Sequence, residues 1–309
     1  SVLHQTFTDY EIIVIDDGST DNTRDVLNKY GNTIRYFYHE NVGVVKSRLR
    51  GLNESKGAYI ATIDSDDIWV PDKLKKQVEI LEAYPHLDML FSDFINFNEH
   101  GFYKKTFFDA NKVFRAIPTI SISNSYPCFK VFERNILGDY IRGNFILPST
   151  IMIRKEVCAK LSMYDGPIEG RDHYEFFLRV FPHLKFGFID SVLAHRRIHE
   201  DKMTTIPRFC DRTINVCQKA LQYPWMDEQC RKFLRAELAR AYFMLGRYYF
   251  VKGDFSKARN LLYEALKSNK CTISAVLLLA LTFVFSPAMI LAVKRIKNIF
   301  LMYLKPIVN

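Results

Sequence analysis

The sequence predicts an α/β protein: a mixed, mainly parallel sheet flanked by helices, followed by an α-helical C-terminal region. Three observations carry this. Continuous β-branched runs, of the kind buried on both faces of a sheet, stand at residues 11–15 (EIIVI) and 58–64 (AYIATID). Segments with helical character and glycine stops separate the strands, so the order strand, helix, strand, helix, strand implies parallel pairing. From about residue 206 the strand signals end and long helical patterns take over.

Each element has a local reason. EIIVI runs into Asp16, Asp17, Gly18 and Ser19, a turn, and TDNTRDVLNKYG then reads as a helix with capping residues at its start and a stop at Gly31. A short strand at 33–38 and a loop at 41–43 lead to a helix over 44–56, closed by Gly57. AYIATID is the next strand and ends in DSDD. Pro71, favoured in a first helical turn, opens a helix with apolar Leu74, Val78 and Leu81 on one side. Residues 87–97 read as a strand. Residues 99–143, rich in Phe, Tyr, Ser and Asn, show no regular pattern and are expected to be an irregular, variable surface. Short strands and a helix at 174–180 complete a first domain near Thr205.

Composition narrows the function. The chain has 309 residues, enough for two domains, and its 25 phenylalanines and 17 tyrosines exclude a disordered chain. The net charge of +9 is uneven: residues 202–309 hold 18 lysines and arginines against 6 acids, while the rest is slightly acidic. Such asymmetry fits contact with nucleic acid or with a membrane surface. The six cysteines contain no C-x-x-C pair and read as scattered core thiols, as suits a reducing compartment. The chain begins SVLHQTF without an initiator Met, which raises the expectation of a missing N-terminal piece.

Acid clusters stand at strand ends, where ligands bind in open α/β sheets. Carboxylates at i and i+2 in Asp64-Ser65-Asp66 can converge on one hard cation, and Mg2+ or Mn2+ needs only one or two of them when a diphosphate fills other positions. EIIVIDDGSTDNT followed by ENVGVVKSRLRGLNESKGAYIATIDSDDIWVPDKL resembles the family 2 glycosyltransferases of the GT-A fold, over about residues 1–205. The resemblance implies that Asp16 and Asp17, the latter favoured, bind the base and ribose of a nucleoside diphosphate sugar, by default a UDP-sugar. It places Arg48, assisted by Lys46, near the nucleotide, and gives Asp66 with Asp64 the metal and the sugar-phosphate end. EGRDHYEFFLRV resembles the family's general-base motif; an inverting transferase needs a carboxylate that removes the acceptor hydroxyl's proton. Asp172 is the favoured match, with His173 and Glu175 as alternatives. VLAHRRIHEDKMT resembles the family's Tyr-Arg-x-His ending, implying a metal or diphosphate role for His199 and a phosphate role for Arg197. Family members begin with a strand that this chain lacks, so the chain is expected to start inside the first helix.

Beyond Thr205, residues 237–269 match one tetratricopeptide-like hairpin, with Gly246, Ala258 and Ala265 as small seam residues. Such a unit needs a neighbour, which a preceding helix at about 208–221 would supply. Residues 271–293 are uncharged, long enough for a membrane span, but Lys294, Arg295, Lys297 and Lys305 would then lie on the wrong side of it. An in-plane contact with the cytoplasmic face of a membrane is the expectation. The resulting domains are 1–205, the transferase; 206–270, helical; and 271–309, membrane-associating. The function expected is metal-dependent, inverting sugar transfer to a glycan or lipid-linked hydroxyl acceptor. The runner-up is a non-catalytic membrane-associated scaffold. Nucleic acid is excluded as partner, because the basic residues sit beside apolar runs without an aromatic-lined stripe.

Overall fold

The computed structural model describes residues 1–164, 171–199, 206–269 and 273–284. They fall in two compact units, Ser1–Lys202 with Tyr223–Trp225, and Met203–Gln222 with Met226–Asn309.

In the first unit the strands are β1 (Ile13–Asp17), β2 (Arg35–His39), β3 (Tyr59–Ala61), β4 (Ile68–Trp69), β5 (Met89–Asn98), β6 (Gly101–Phe102), β7 (Thr119–Ser121), β8 (Phe129–Phe132), β9 (Met152–Arg154) and β10 (Phe186–Arg197). Helices α1 (Thr23–Asn28), α2 (Val44–Glu54) and α3 (Lys73–Ala83) alternate with the early strands. They are followed by α4 (Phe107–Ala110), α5 (Lys112–Arg115), α6 (Leu137–Gly143), α7 (Lys155–Lys160) and α8 (Asp172–Val180). The architecture is mixed α/β. β1 and β2 form a parallel pair, and the larger sheet runs β3-β9-β5-β10-β8-β7. Within it β5 and β10 are parallel and their other partners antiparallel. The chain opens with one 3-10 turn, Val2–His4, rather than a longer helix.

The expectation of an irregular surface over 99–143 is corrected. That segment contains β6, α4, α5, β7, β8 and α6. Phe108, Phe114 and Phe129 are core residues: Phe108 stacks on Phe114 at 3.9 Å between ring centroids, and both rings pack edge-on against Phe188 of β10. α4 and α5 have four residues each, too few to show a helical period in sequence. Burial against β5 and β10 stabilises what propensity alone would not.

β10, read from sequence as short strands, is one 12-residue strand with register shifts between Ile189 and Ala194. Its end pairs antiparallel with β4, Ala194 opposite Trp69 and His195 opposite Ile68. That register brings residues 196–199 to the DSDD turn.

The second unit contains α9 (Ile206–Ala220), α10 (Glu228–Lys252), α11 (Phe255–Ser268) and α12 (Ile273–Val284). Gly253 ends α10 in the left-handed conformation, φ 85°, and Asp254 caps α11 by accepting from the Lys257 amide at 3.0 Å. α10 packs between α9 and α11. Cys210, Cys217 and Cys230 are buried thiols here. No helix of the described residues is long and apolar enough to cross a membrane. Lys294, Arg295, Lys297 and Lys305, on which the membrane expectation rests, lie outside the described residues.

Candidate active site

The candidate residues come from segments far apart in sequence: Arg48, Asp64 and His173 line one cavity, whereas Asp16 and Asp17, at the end of β1, are not among its lining residues. At the end of β1, Asp16 is buried and accepts from the Ser19 amide at 2.8 Å and the Tyr36 hydroxyl at 2.6 Å. Burial pushes its pKa up, but these hydrogen bonds outweigh that and hold it below the ordinary carboxylate value. Asp17 accepts from the backbone amides of Val42 and Gly43, at 2.8 and 3.1 Å, with His39 Nδ1 at 3.3 Å. Asp16 therefore shapes the DDGS turn and ties it to β2, while Asp17 ties it to the NVG loop. Gly18 closes the contact: its φ is 82°, and an added Cβ would stand 2.7 Å from the Asn41 amide nitrogen.

α2 carries Arg48 inward. Its guanidinium donates to Asp64 Oδ1 at 2.7 Å and to His173 Nδ1 at 2.9 Å. An arginine has no acceptor, so Nδ1 of His173 must accept, and the neutral ring carries its proton on Nε2. Lys46, two positions earlier and so about 200° around the helix, is exposed and does not line the cavity. The cavity, of about 370 Å³, is lined by Arg48, Asp64 and His173, and also by Arg171 and Arg196.

In the DSDD turn the three acids separate. Asp64 goes to Arg48. Asp66 Oδ2 lies 3.0 Å from His199 Nε2, a pair 133 positions apart in sequence. Asp67 is buried, accepting from the Ser149 hydroxyl at 2.6 Å and the Arg197 amide at 3.1 Å, and burial pushes its pKa up. Among the described residues no three acids, histidines or cysteines gather as a metal group. Asp66 and His199 bring one carboxylate and one imidazole together; the carboxylate is the donor type that suits Mn2+ or Mg2+. Asp64, expected beside them, is held by Arg48.

Of the three candidate bases, Glu175 is turned away: its buried carboxylate accepts from the Tyr223 hydroxyl at 2.6 Å and lies 3.4 Å from Arg179 Nε. His173 lines the cavity with Nδ1 occupied by Arg48. Asp172 begins α8, and its side chain lies outside the described residues, as does Glu169. Arg197 rests on the Phe97 ring at 4.4 Å and reaches the Asp66 carbonyl at 3.3 Å, so it attends the DSDD turn. Its neighbour Arg196 takes the cavity. Sequence reasoning missed Arg196 and Arg171; strand alternation, which sends successive side chains to opposite faces, was the available signal for Arg196. Ser149, whose hydroxyl donates to Asp67 from 82 positions away, carries no signal in local pattern.

The mixed α/β sheet flanked by helices is the GT-A class of architecture. Residues 1–141 match the family described as Glycosyl transferase family 2. An uncharacterised glycosyltransferase of Rickettsia typhi is 26% identical over 207 residues, covering 66% of this chain. The chain spans 59% of that relative's length. TuaG of Bacillus subtilis, a glycosyltransferase named for teichuronic acid biosynthesis, is 44% identical over 85 residues, 26% of this chain and 34% of its own length. Among solved structures, residues 1–349 of S. aureus TarS in complex with UDP-GlcNAc align with a TM-score of 0.58 at 18% identity, covering 86% of this chain and 75% of that one.

Proposed function

We propose that this protein transfers a sugar, with inversion, from a nucleoside diphosphate donor, by default a UDP-sugar, to a hydroxyl of a cell-surface glycan or lipid-linked precursor. The observation that carries the reading is the Asp66 and His199 pair, 3.0 Å apart, two residues from the Asp64 carboxylate that Arg48 holds. The UDP-GlcNAc complex of TarS and the teichuronic acid context of TuaG support the donor and acceptor classes. Asp66 and His199 would hold Mn2+ or Mg2+, which when bound neutralises the charge that builds on the departing diphosphate.

The chain's own residues do the rest. The braced DDGS turn and NVG loop orient the nucleotide, and Arg48 fixes Asp64 at the sugar end. The proton acceptor falls to Asp172. Glu175 faces Tyr223 and Arg179, and His173 has one nitrogen accepting from Arg48 and the other protonated, so neither takes the acceptor's proton. We further propose that the basic tail rests on the cytoplasmic face of a membrane, near lipid-linked acceptors.

Calorimetry with UDP tests the site. UDP is expected to bind the wild type with Mn2+ present, to lose affinity on chelation, and to bind D66A no better with the metal than without it. Equal, metal-independent binding by both proteins would refute the assignment of Asp66; no binding by the folded wild type would favour a scaffold.

A further inference from the structure

The connector between α9 and α10 departs from the organisation of the chain around it. Residues on either side belong to the helical unit, yet Tyr223–Trp225 belongs to the first unit. Its contacts are directed at α8. Tyr223 donates to Glu175 at 2.6 Å, Trp225 Nε1 donates to the Leu178 carbonyl at 3.2 Å, and the two rings stack at 4.9 Å with 19° between their planes. Trp225 also meets His183 edge-on at 5.7 Å, just past the end of α8.

The geometry of α8 gives these contacts a direction. Glu175 and Arg179 are four apart and share one face, whereas His173 is two residues from Glu175 and points to the other side, into the cavity. Two more of its residues anchor the helix: Tyr174 donates to the Ile141 carbonyl at 3.3 Å, and Arg179 donates to the Leu161 and Ser162 carbonyls at 2.6 and 2.8 Å. These fix it to α6 and to the end of α7. The connector supplies the hold on the remaining face. Burial, together with the Glu175 carboxylate, pushes the Tyr223 phenol upward, so it stays protonated and donating.

We infer that Tyr223 is a positioning residue of the transferase: with Trp225 it clasps α8 from behind and sets the orientation of the first turn, where His173 meets Arg48 and where Asp172 stands. This rests on the function proposed above. It also means that the catalytic unit is completed by residues beyond its own continuous stretch, so a chain ended near Thr205 would lack the clasp.

The test uses the full chain, UDP-GlcNAc and Mn2+, with UDP release to water as the rate and hydrogen exchange of the α8 amides as a readout independent of turnover. Y223F removes one hydroxyl. Its kcat is expected to fall about tenfold with KM for UDP-GlcNAc within about twofold, because misplacing a reacting group costs rate without costing donor contacts. Exchange across α8 is expected to rise. Y223F/E175Q removes the buried charge along with its donor and so guards against a folding failure; its kcat is expected to remain about tenfold down. Recovery of wild-type kcat in the double variant would show that Tyr223 only satisfies a buried carboxylate, and would overturn the inference. Unchanged kcat and exchange in Y223F would overturn it too. A wild type that releases no UDP while Y223F still loosens α8 would sink the transferase reading and leave the clasp standing as a structural contact.

Discussion

Asp172 and His173 stand side by side at the start of α8, and the hydrogen bond from Arg48 to His173 Nδ1 is the ground on which the proposal gives the base to Asp172. General-base removal typically costs 10² to 10⁴ in rate, so D172N is expected to lower kcat by roughly that range. H173Q keeps an acceptor for Arg48 and is expected to lose only about tenfold or less. Steady-state UDP release measures both, and the reverse ranking would transfer the base to His173. Lys73 presents a separate residue-scale effect. It is fully buried, donates to Gln77 at 2.6 Å and lies 4.2 Å from the Trp69 ring centroid. Burial pushes its pKa down to about 7. Between that value and the unfolded value near 10.4 the unfolded chain binds the extra proton, so this residue's contribution to stability rises with pH, by up to about 1.4 kcal/mol per unit. Urea denaturation at pH 7 and pH 9 is expected to show the wild type gaining on K73M at the higher pH. A difference that does not change with pH would refute the burial argument.

Among the elements, α10 and α11 approach closely because α10 carries Gly246. An added Cβ there would lie 2.9 Å from Leu262 Cγ and 3.1 Å from Cδ2, and Ala258 and Leu262 are fully buried in the same seam. G246V is expected to destabilise the helical unit by about 1–3 kcal/mol through overpacking, read as a lower denaturation midpoint. G246V with L262A relieves the clash and is expected to recover part of it. This seam was legible in sequence, since small residues at helical spacing mark close helix contact. The elements between residues 99 and 143 were not, because α4, α5 and β7 are three or four residues long and take their shape from the Phe91, Phe108 and Phe188 cluster. Likewise β10 conceals its continuity behind two register shifts, and sequence patterning breaks where register does.

For the whole molecule the uneven charge is the governing feature. The body before residue 202 is slightly acidic and the remainder carries 18 basic groups against 6 acids. If the tail rests on anionic lipid, each basic residue near the surface contributes roughly 1 kcal/mol, screened by salt. The full chain is therefore expected to co-sediment with phosphatidylglycerol vesicles at low salt and less at high salt. K294Q/R295Q/K297Q is expected to bind markedly less. Equal pelleting with neutral and anionic vesicles would remove the electrostatic part of the proposal.

The sequence by itself determined the local chemistry: strands that end in DDGS and DSDD, the glycine and proline boundaries, the charge of the tail and the resemblance to family 2 transferases. Each of these is written in neighbouring residues, where turn geometry, capping and periodicity act. Which groups meet was decided only by the tertiary structure. The pairing of β4 with β10 sets Asp66 against His199, α2 delivers Arg48 to Asp64 and His173, and the connector after α9 brings Tyr223 to Glu175. These partners lie 16 to 133 positions apart. Strand register and helix packing, which depend on the whole core, fix such distances, and no local pattern encodes them.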